Sequence, residues 1–586
     1  MACSVYLKTP LFFIKCFLLY SFCSVVIADI SYQVKGLNKA LEANVRAHIG
    51  QINDSDWALR QHLQARTTVG TKSALEALGY YDSEVFISFN DKDKKMLVKV
   101  NKGKPVLWEF VNLELEGVGS GDQLLISEIN KSAPELLSVL NHEDYEKFKR
   151  KIKIVLLERG YFDFEILNAR LEIDRELHRA NAVLFVNTGE RYKIVEVTFS
   201  KSIIKEELLY KLINFDIDSP YLKTTVDEFY KSIVKTAYFN NIVIDKELDK
   251  ELDKDQLKQV KLHVSLEDRE PNRVTLGAGY GTDTGPKVKI GWEKPIINTD
   301  GHSFSSLISL SKIQKLINFS YKIPGGHPAD NFFQLSAGRD IESFEKNDFT
   351  LDSIGVSRNH KFKSDWVRNI YLKVNNEQSE QENDLNETVI TNFDAYVTPG
   401  LGFSHRVANR PLNPDQGYNF NFNFEFTDPA LGSDTQYVLF RGATKGLYNF
   451  ENNHSVLGRL ELGYLISDEF FEVPLSKRFF AGGDQSIRGY DYKSLSPESS
   501  DGTLTGGEEL AVVSTEYLWR FKPKWKIALF VDHGIVGLDS GTSAYTGIGV
   551  GVRWLSMVGN IQLDLASRIN SDESGLKLHL FMGPVL

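Results

Sequence analysis

The residues with the most distinctive chemistry are an arginine and several glycines near the end of the chain. The segment 478–497 contains Arg488 followed by Gly489, with the pair Gly482 and Gly483 shortly before them. Glycines permit backbone angles that other residues resist, and the proline at its end cannot donate to a sheet ladder, so we expect a loop. Strand-like apolar segments flank it, which favours a loop folded into an enclosure. A guanidinium placed there needs carboxylate partners, because an unpaired buried charge is costly.

Two later acidic residues are candidates for that pairing. In the segment 526–532, three aliphatic side chains share one strand face and Asp532 lies on the other. The aliphatic face suits lipid, so we expect Asp532 to point into an interior, and the same alternation places Glu516 inside. Arg488 can then pair with both acids and pin the loop. A structural clamp and a dynamic role are both consistent with this pattern.

Motifs for catalysis or metal binding are absent from the sequence. Gly277, Gly279 and Gly281 are spaced like part of a nucleotide loop but lie in a strand pattern without a βαβ context. The sequence contains neither a G-x-S-x-G elbow nor an H-E-x-x-H motif, and its twelve histidines are scattered. We therefore predict no catalytic residues, no metal site, no cofactor and no enzyme activity.

Composition and charge narrow the class of protein. The chain has 586 residues, of which 42% are hydrophobic, so it is long enough for several folded domains. Its formal charge is −10, which disfavours a nucleic-acid partner because such domains usually carry a concentrated basic face. Its three cysteines are Cys3, Cys16 and Cys23.

Residues 1–28 have the pattern of a secretory signal peptide: Lys8 precedes apolar runs that end in Val26-Ile-Ala28. An uncleaved membrane anchor is the alternative interpretation. Cleavage would remove all three cysteines, and the mature chain would hold no disulfide. No later stretch has the roughly 18 apolar residues of a spanning helix, so a mature chain that enters a membrane must do so as a closed β-barrel.

The region up to residue 269 contains a weak threefold repeat. Similar short sequence motifs occur at the ends of three predicted helices. The tyrosines that align in these motifs are Tyr80, Tyr161 and Tyr238. A period of this length, about 80 residues, indicates small domains rather than a short solenoid repeat. Each unit reads strand, helix, helix, turn, strand, strand. Gly follows the helix in the first two copies, whereas Ala237 replaces it in the third, so we expect a different cap there.

After residue 270, segments of about ten residues alternate in polarity between turns, as in an outer-membrane barrel. The clearest is 419–426, with four phenylalanines on one face and three asparagines and Glu425 on the other. We count sixteen strand candidates in 270–586. They begin near residues 272, 285, 302, 314, 330, 347, 364, 388, 417, 437, 455, 508, 525, 544, 558 and 575. The polar stretch 375–387 is predicted to be an extracellular loop.

The segment 478–497 also resembles a known family. Ile487-Arg488-Gly489-Tyr490 resembles the [V/I]-R-G-[F/Y] motif in the sixth extracellular loop of Omp85 outer-membrane barrels. Residues 479–483 resemble the segment that leads into this motif in the TamA branch of the family. The family places this arginine against acidic residues that include a D-x-G motif, which Asp532 and Gly534 match here. Glu516 resembles the second acidic position.

The N-terminal repeats resemble POTRA domains, the periplasmic modules that precede Omp85 barrels. Their expected bounds are 29–103, 104–188 and 189–269. The resemblance implies an α+β fold of three POTRA units followed by a 16-stranded antiparallel transmembrane β-barrel in the bacterial outer membrane.

The two ends of the barrel sequence suggest a weak closing seam. Gly277, Gly279 and Gly281 weaken the first strand, and Gly583-Pro584 interrupts the last, where Pro584 cannot donate a hydrogen bond. In the family this seam is the proposed lateral gate for client strands. Simple fraying of the terminal strands is the other explanation.

The resemblance finally implies a function. It indicates an assembly factor that inserts or secretes autotransporters and other β-barrel clients, in contact with outer-membrane lipid and with a TamB-like protein anchored in the inner membrane. The alternative is a two-partner secretion transporter that exports a soluble passenger through its pore. Such transporters typically have two POTRA units, and the three repeats count against this interpretation.

Overall fold

The computed structural model describes eight stretches of the chain, and the predicted signal segment 1–28 and Pro584 lie outside them. The described residues are 30–249, 258–382, 387–410, 414–451, 453–538, 541–556, 559–569 and 575–583. They divide into two compact units. One contains the first two repeats and part of the third, and the other contains the rest of the third repeat and the large sheet. None of the described helices is long and apolar enough to span a membrane.

Each repeat folds as a three-stranded sheet covered by helices. The first contains β1 (Tyr32–Lys35), α1 (Lys39–Ile49), α2 (Asp54–Ala58), α3 (Arg60–Glu76), β2 (Glu84–Asn90) and β3 (Lys95–Asn101). The second contains β4 (Leu107–Glu116), α4 (Gln123–Asn130), α5 (His142–Glu158), β5 (Glu165–Asp174) and β6 (Arg179–Asn187). The third contains β7 (Lys193–Phe199), α6 (Glu206–Tyr210), α7 (Lys223–Lys235), β8 (Phe239–Asp249) and β9 (Gln259–Asp268). The strand orders are β1-β3-β2, β4-β6-β5 and β7-β9-β8, so the last strand is central each time.

The turn after the long helix contains one residue with a left-handed φ in each of the three repeats. Gly79 and Gly160 take φ angles of 85° and 87°, the left-handed conformation that ends many helices. Ala237 also takes a left-handed φ of 58°. The cap nevertheless differs in its hydrogen bonds, as expected: Tyr80 N and Tyr161 N donate to the helix carbonyls of Leu75 and Leu156, whereas Tyr238 N donates to Thr236 Oγ1 at 3.3 Å. The left-handed conformation of Ala237 costs about 1–2 kcal/mol because of its methyl group.

The large sheet contains the sixteen predicted strands, each paired antiparallel with the next in sequence. Fifteen ladders link them in the order β10 to β25. The predicted strand starts agree with the observed ones to within three residues. The strands are β10 (Arg273–Gly281), β11 (Gly285–Lys294), β12 (Ser303–Leu310), β13 (Gln314–Pro324), β14 (Asn331–Phe344), β15 (Asn347–Lys361), β16 (Val367–Glu382), β17 (Thr388–Ala408), β18 (Gly417–Thr427), β19 (Tyr437–Glu451), β20 (His454–Ile466), β21 (Glu509–Lys522), β22 (Trp525–Leu538), β23 (Gly541–Ser556), β24 (Gly559–Ile569) and β25 (Leu576–Gly583).

Residues 375–382 correct one detail of the prediction. They were expected to form a loop, but they continue β16 and pair with β15 and β17. The polar alternation of Asn375, Glu377 and Ser379 places these side chains on one face, where they are buried. A polar strand that lines a filled interior has the composition of a loop, so composition alone misassigned it.

The outer surface of the barrel is apolar and ends in a band of aromatic side chains. One rim carries the turns that contact the α7 region, where Tyr238 Oη donates to Gly301 O at 2.7 Å and Ser232 Oγ lies 2.8 Å from His327 Nε2. We call it the α7-side rim. All five barrel tryptophans lie near it: Trp292, Trp366, Trp519, Trp525 and Trp554. Trp525 and Trp554 stack at 5.7 Å across paired strands. Such girdles mark the level where hydrocarbon meets water.

Candidate functional site: a loop held in the barrel by an ion cluster

The loop between β20 and β21 folds into the barrel. It spans residues 467–508, wider than the predicted 478–497, and we call it loop 6. Short bridges brace it internally, from Phe479 to Gly507 and from Ala481 to Leu495. Gly482, Gly483 and Gly489 all take left-handed φ angles near 100°, which suits glycine. Loop 6 is therefore a compact plug with its own hydrogen bonds.

Arg488 lies at the centre of a buried ion cluster. Its Nε and Nη2 donate to the two carboxylate oxygens of Asp532 at 2.7 and 2.9 Å, which is a bidentate pair. Its Nη1 donates to Glu516 at 3.0 Å and to Asp564 at 3.0 Å. The guanidinium also lies 3.4 Å from the ring centroid of Phe530. The structure thus brings together Arg488 and the two acids singled out in the sequence, and it adds Asp564.

A second arginine completes the cluster. Arg553 on β23 donates from Nε and Nη2 to Glu516 at 2.9 and 2.8 Å, and it also contacts Asp564 on β24. Arg459 on β20 donates to the carbonyl of Ser486 and lies 4.0 Å from Asp532. Three arginines thus face three carboxylates, and the formal charges cancel. This balance is what permits such a cluster to be buried.

Sequence reasoning missed Asp564, Arg553 and Arg459, although the signal was present. In β24, apolar Leu563 and Leu565 flank Asp564, which is the alternation that located Asp532. With both leucines facing lipid, Asp564 points into the interior.

The other predicted residues of the motif pack around the arginine. Ile487 is fully buried, and the ring of Tyr490 meets Tyr545 edge-on at 5.6 Å. A Cβ placed on Gly534 would lie 2.8 Å from Ile487 Cδ1. The glycine of the D-x-G sequence therefore leaves room for the isoleucine that precedes Arg488.

Loop 6 also contacts the opposite wall of the barrel. Three glutamates there accept from it, one on each of β14, β16 and β18. Tyr492 Oη donates to Glu342 at 2.8 Å, Ser476 N donates to Glu377 at 2.9 Å, and Lys477 Nζ donates to Glu425 at 2.6 Å. The loop is thus fixed at two sides of the lumen.

A third set of contacts joins loop 6 to the two terminal strands. Gly489 N donates to His579 Nε2 on β25 at 2.9 Å, so this nitrogen is the unprotonated one. His579 Nδ1 then donates to Asp484 at 2.5 Å. Asp484 also accepts from Thr282 Oγ1 at 3.0 Å, and its own N–H donates to Asp283 Oδ2 at 2.5 Å. Loop 6 therefore bridges the ends of the sheet.

The predicted seam is held by few contacts. Among the described residues no ladder links β10 to β25, and Thr282 N donates to Leu580 O at 3.0 Å. Gly281 lies close to this bond, since its Cβ would be 3.6 Å from Leu580 O. A Cβ on Gly279 would meet no atom within 4 Å, and one on Gly277 only Lys289 of β11. Gly583 ends β25, and Pro584 lies outside the described residues.

Two carboxylates meet in this network, Asp283 from the turn between β10 and β11 and Asp484 from loop 6. Burial, and then the neighbouring Asp484 carboxylate, raise the pKa of Asp283 to about 6. The side chains of Asp283, Asp484 and His579 hold ligand atoms within 4.8 Å of one another. Direct hydrogen bonds already occupy both imidazole nitrogens. The arrangement therefore works as a latch of hydrogen bonds.

A barrel with an apolar exterior, an aromatic girdle and a plugged polar lumen defines a transmembrane β-barrel protein. Residues 270–583 match the model of the Omp85 superfamily domain, and residues 31–102 match that of POTRA domain TamA domain 1. The first match covers more than half of the chain, and the chain belongs to the Omp85 superfamily. Its barrel accordingly lies in the outer membrane and its POTRA domains in the periplasm, which makes the α7-side rim the periplasmic one.

Relatives and solved structures agree with this family. The chain is 22% identical over 524 residues to the outer membrane protein assembly factor BamA of Neisseria meningitidis, covering 80% of this chain and 63% of that protein. It is 28% identical over 182 residues to BamA of Nitratidesulfovibrio vulgaris, covering 30% and 23%. The chain thus spans less than two thirds of either relative. The crystal structure of BamA from Haemophilus ducreyi lacking POTRA domains 1–3 superposes with a TM-score of 0.66 at 16% identity, covering 81% and 99% of the two chains.

Proposed function

We propose that this protein assembles β-barrel client proteins into the outer membrane by templating their strands at the seam between β10 and β25. The observation that carries this proposal is the weak closure of the sheet. Thr282 N donates to Leu580 O and Leu580 N donates to Thr282 Oγ1, but the facing edges of β10 and β25 form no ladder in the described residues. Unpaired strand edges are the usual template for adding a new strand.

Loop 6 supplies the rigid support in this proposal. Its Arg488 cluster fixes the loop to β21, β22 and β24, and its Asp484 latch reaches both terminal strands. Opening the seam would therefore require the latch to break while the arginine cluster holds the loop in place. In this proposal, Arg488 has a structural role: it holds loop 6 in place while the seam opens.

We also propose the clients and the partner of this protein. Autotransporters and other barrel proteins are the clients, and a TamB-like protein anchored in the inner membrane is the partner, met at the first POTRA unit. The match of residues 31–102 to a TamA-type POTRA domain supports this partner. Co-purification of a TamB-like protein with the full chain, lost when only residues 31–102 are exchanged for another POTRA unit, would test it.

The seam is tested by reversible locking. If the register of the Thr282–Leu580 hydrogen bond is continued for two residues along each strand, it brings Tyr280 opposite Met582. A Tyr280→Cys/Met582→Cys variant joins the seam when oxidised, and all native cysteines lie in the predicted signal segment. We expect oxidation to stop insertion of an unfolded autotransporter barrel into vesicles that contain the protein, and reductant to restore it.

A matched pair controls for the disulfide itself. Val288 and Leu310 face each other on the paired strands β11 and β12, and a Val288→Cys/Leu310→Cys bridge leaves the seam free. Full insertion by the oxidised seam variant would overturn the templating proposal. Export of a soluble passenger by that locked variant would instead favour the two-partner secretion alternative.

A further inference from the structure

A basic cavity lies at the α7-side rim, away from loop 6. It has a volume of about 390 Å³ and is lined by α7 and by the turns between β13 and β14 and between β15 and β16. Four lysines line it, together with three acidic residues and one histidine: Lys231, Lys235, Lys361, Lys363, Glu228, Asp330, Asp365 and His327. The proposed assembly function uses none of these residues.

The cavity walls are tied together, so the site is built rather than an accidental gap. Ser232 Oγ on α7 donates to Leu212 O at 2.9 Å, and it therefore accepts from His327 Nε2 at 2.8 Å. The other imidazole nitrogen lies 3.2 Å from Asp330. These contacts fix α7 against the barrel turn.

The charges left over in the cavity are positive. Lys361 pairs with Asp365 at 2.8 Å, and Asp330 is held beside His327. Lys231, Lys235 and Lys363 have no carboxylate within 4 Å in the described part of the chain, and Glu228 is the one remaining lining acid. Three ammonium groups thus converge with one carboxylate to balance them, which favours an anion.

The position of the cavity indicates which anion. Phe362 belongs to its lining, and Trp366 of the aromatic girdle lies at the end of the same turn. Girdle aromatics sit at the level of lipid headgroups. Arg358 and Arg368, on the strands that flank this turn, lie over the rings of Phe333 and Phe362 at 5.4 Å each. Neither arginine has a carboxylate within 4 Å among the described residues, as expected of side chains that reach from the lipid face toward phosphates.

We propose that this cavity binds the phosphate of an anionic phospholipid headgroup from the periplasmic leaflet. Lys231 and Lys235 supply charge from α7, and Lys363 supplies it from the barrel turn. A volume of 390 Å³ lies in the range of small-molecule sites and suffices for a glycerophosphate headgroup. A bound lipid would then connect α7 to the membrane surface.

The test uses the full chain in detergent and native mass spectrometry. The probes are phosphatidylglycerol, the uncharged-overall phosphatidylcholine and inorganic phosphate. We expect selective retention of phosphatidylglycerol and a loss of affinity of roughly thirtyfold in Lys231→Gln/Lys363→Gln, since each lysine near a lipid surface contributes about a factor of five.

A charge-matched control lies on the same rim. Lys522 at the end of β21 and Lys524 in the turn that follows are both exposed, and Lys522→Gln/Lys524→Gln removes the same charge outside the cavity. Equal loss in both variants would overturn the proposal, because the effect would then follow net charge. Equal retention by the cavity variant and the wild type would also overturn it. Inorganic phosphate that binds as tightly as the lipid and displaces it would assign the cavity to free phosphate and reject the lipid source.

Discussion

At the scale of single residues, Arg488 uses a geometry that lysine lacks. Its planar guanidinium donates hydrogen bonds to Asp532 from two nitrogens and to Glu516 and Asp564 from the third. In Arg488→Lys, one ammonium faces three carboxylates that are nearly inaccessible to solvent. We expect the local opening free energy of loop 6 to fall by about 3–5 kcal/mol, the usual cost of breaking a buried pair. Hydrogen exchange of residues 478–497 in the full chain measures it.

Arg339 provides a matched comparison for that substitution. It also pairs through two nitrogens with a single carboxylate, Asp352, at 2.6 Å each, but its side chain is 56% exposed. Water screens such a pair, so Arg339→Lys should change the exchange of its strands by about 1 kcal/mol or less. Equal effects at Arg339 and Arg488 would mean that burial does not set the strength of the cluster.

The seam latch should depend on pH through Asp283. Its pKa rises from 3.8 to about 6 on folding, because burial and then Asp484 disfavour the charged form. Because the pKa is higher in the folded state, Asp283 stabilises the latch fully when the pH is below its unfolded-state pKa. This stabilisation is lost as the pH rises through the folded-state pKa of about 6. We expect exchange near Asp484, corrected for intrinsic rates, to increase between pH 5 and pH 7.

Asp283→Asn isolates this contribution. The amide oxygen can still accept from Asp484 N–H, but the side chain no longer ionises. In this variant, the stability of the latch should lose the part of its pH dependence that belongs to Asp283. At pH 7 the latch should be as stable as the latch of the wild type is at acidic pH. An unchanged pH profile in Asp283→Asn would show that the dependence belongs to a group other than Asp283.

At the scale of elements, the turn that ends α7 carries strain that its two counterparts avoid. Ala237 holds a left-handed backbone that Gly79 and Gly160 hold without a Cβ. Ala237→Gly should remove this backbone strain, but glycine also has more conformational freedom in the unfolded chain, which offsets part of the gain. We expect a net stabilisation of the α7–β8 turn by about 0.5–1 kcal/mol. Hydrogen exchange of residues 223–249 is the measurement.

The reverse substitution in the second repeat gives the opposite sign. Gly160 has a φ of 87°, and a Cβ there would lie 2.9 Å from Tyr221 Cβ. Gly160→Ala should therefore destabilise the α5–β5 turn by more than Ala237→Gly gains. A neutral Gly160→Ala would show that the turn adapts and that the φ angle carries little strain.

At the scale of the whole barrel, loop 6 acts as a brace between two walls. Arg488 holds it to β21, β22 and β24, and Lys477 holds it to Glu425 on β18. Each attachment can keep loop 6 in the barrel when the other is weakened. We therefore expect the effects of Arg488→Lys and Lys477→Met on the protection of loop 6 to be non-additive. The double variant should expose residues 478–497 to protease from the external side, whereas each single variant keeps them protected.

The double variant also has an internal control. Arg520 pairs with Asp415 away from loop 6 at the α7-side rim. Combining Arg520→Lys with Arg488→Lys should give additive effects, since the two sites share no partner. Additivity in both combinations would indicate that loop 6 leaves the two walls independently.

Most of the fold followed from local patterns in the sequence. Strand alternation has a period of two whatever the strand pairs with, so it predicted sixteen strands to within three residues of their starts. The glycines of 482–489 likewise indicated a loop, because their backbone freedom is local. The pattern failed at residues 375–382, where a polar strand lines an interior that is filled by loop 6.

By itself, the sequence determined the class of fold, the position of loop 6 and the identity of Arg488 with two of its acids, since each depends on periodicity or on a short motif. Only the tertiary structure decided that Asp564 and Arg553 join Arg488 in one cluster and that a latch runs from His579 through Asp484 to Thr282. Those contacts join residues far apart in the chain. Their distances depend on the curvature and register of the closed sheet, which no local pattern encodes.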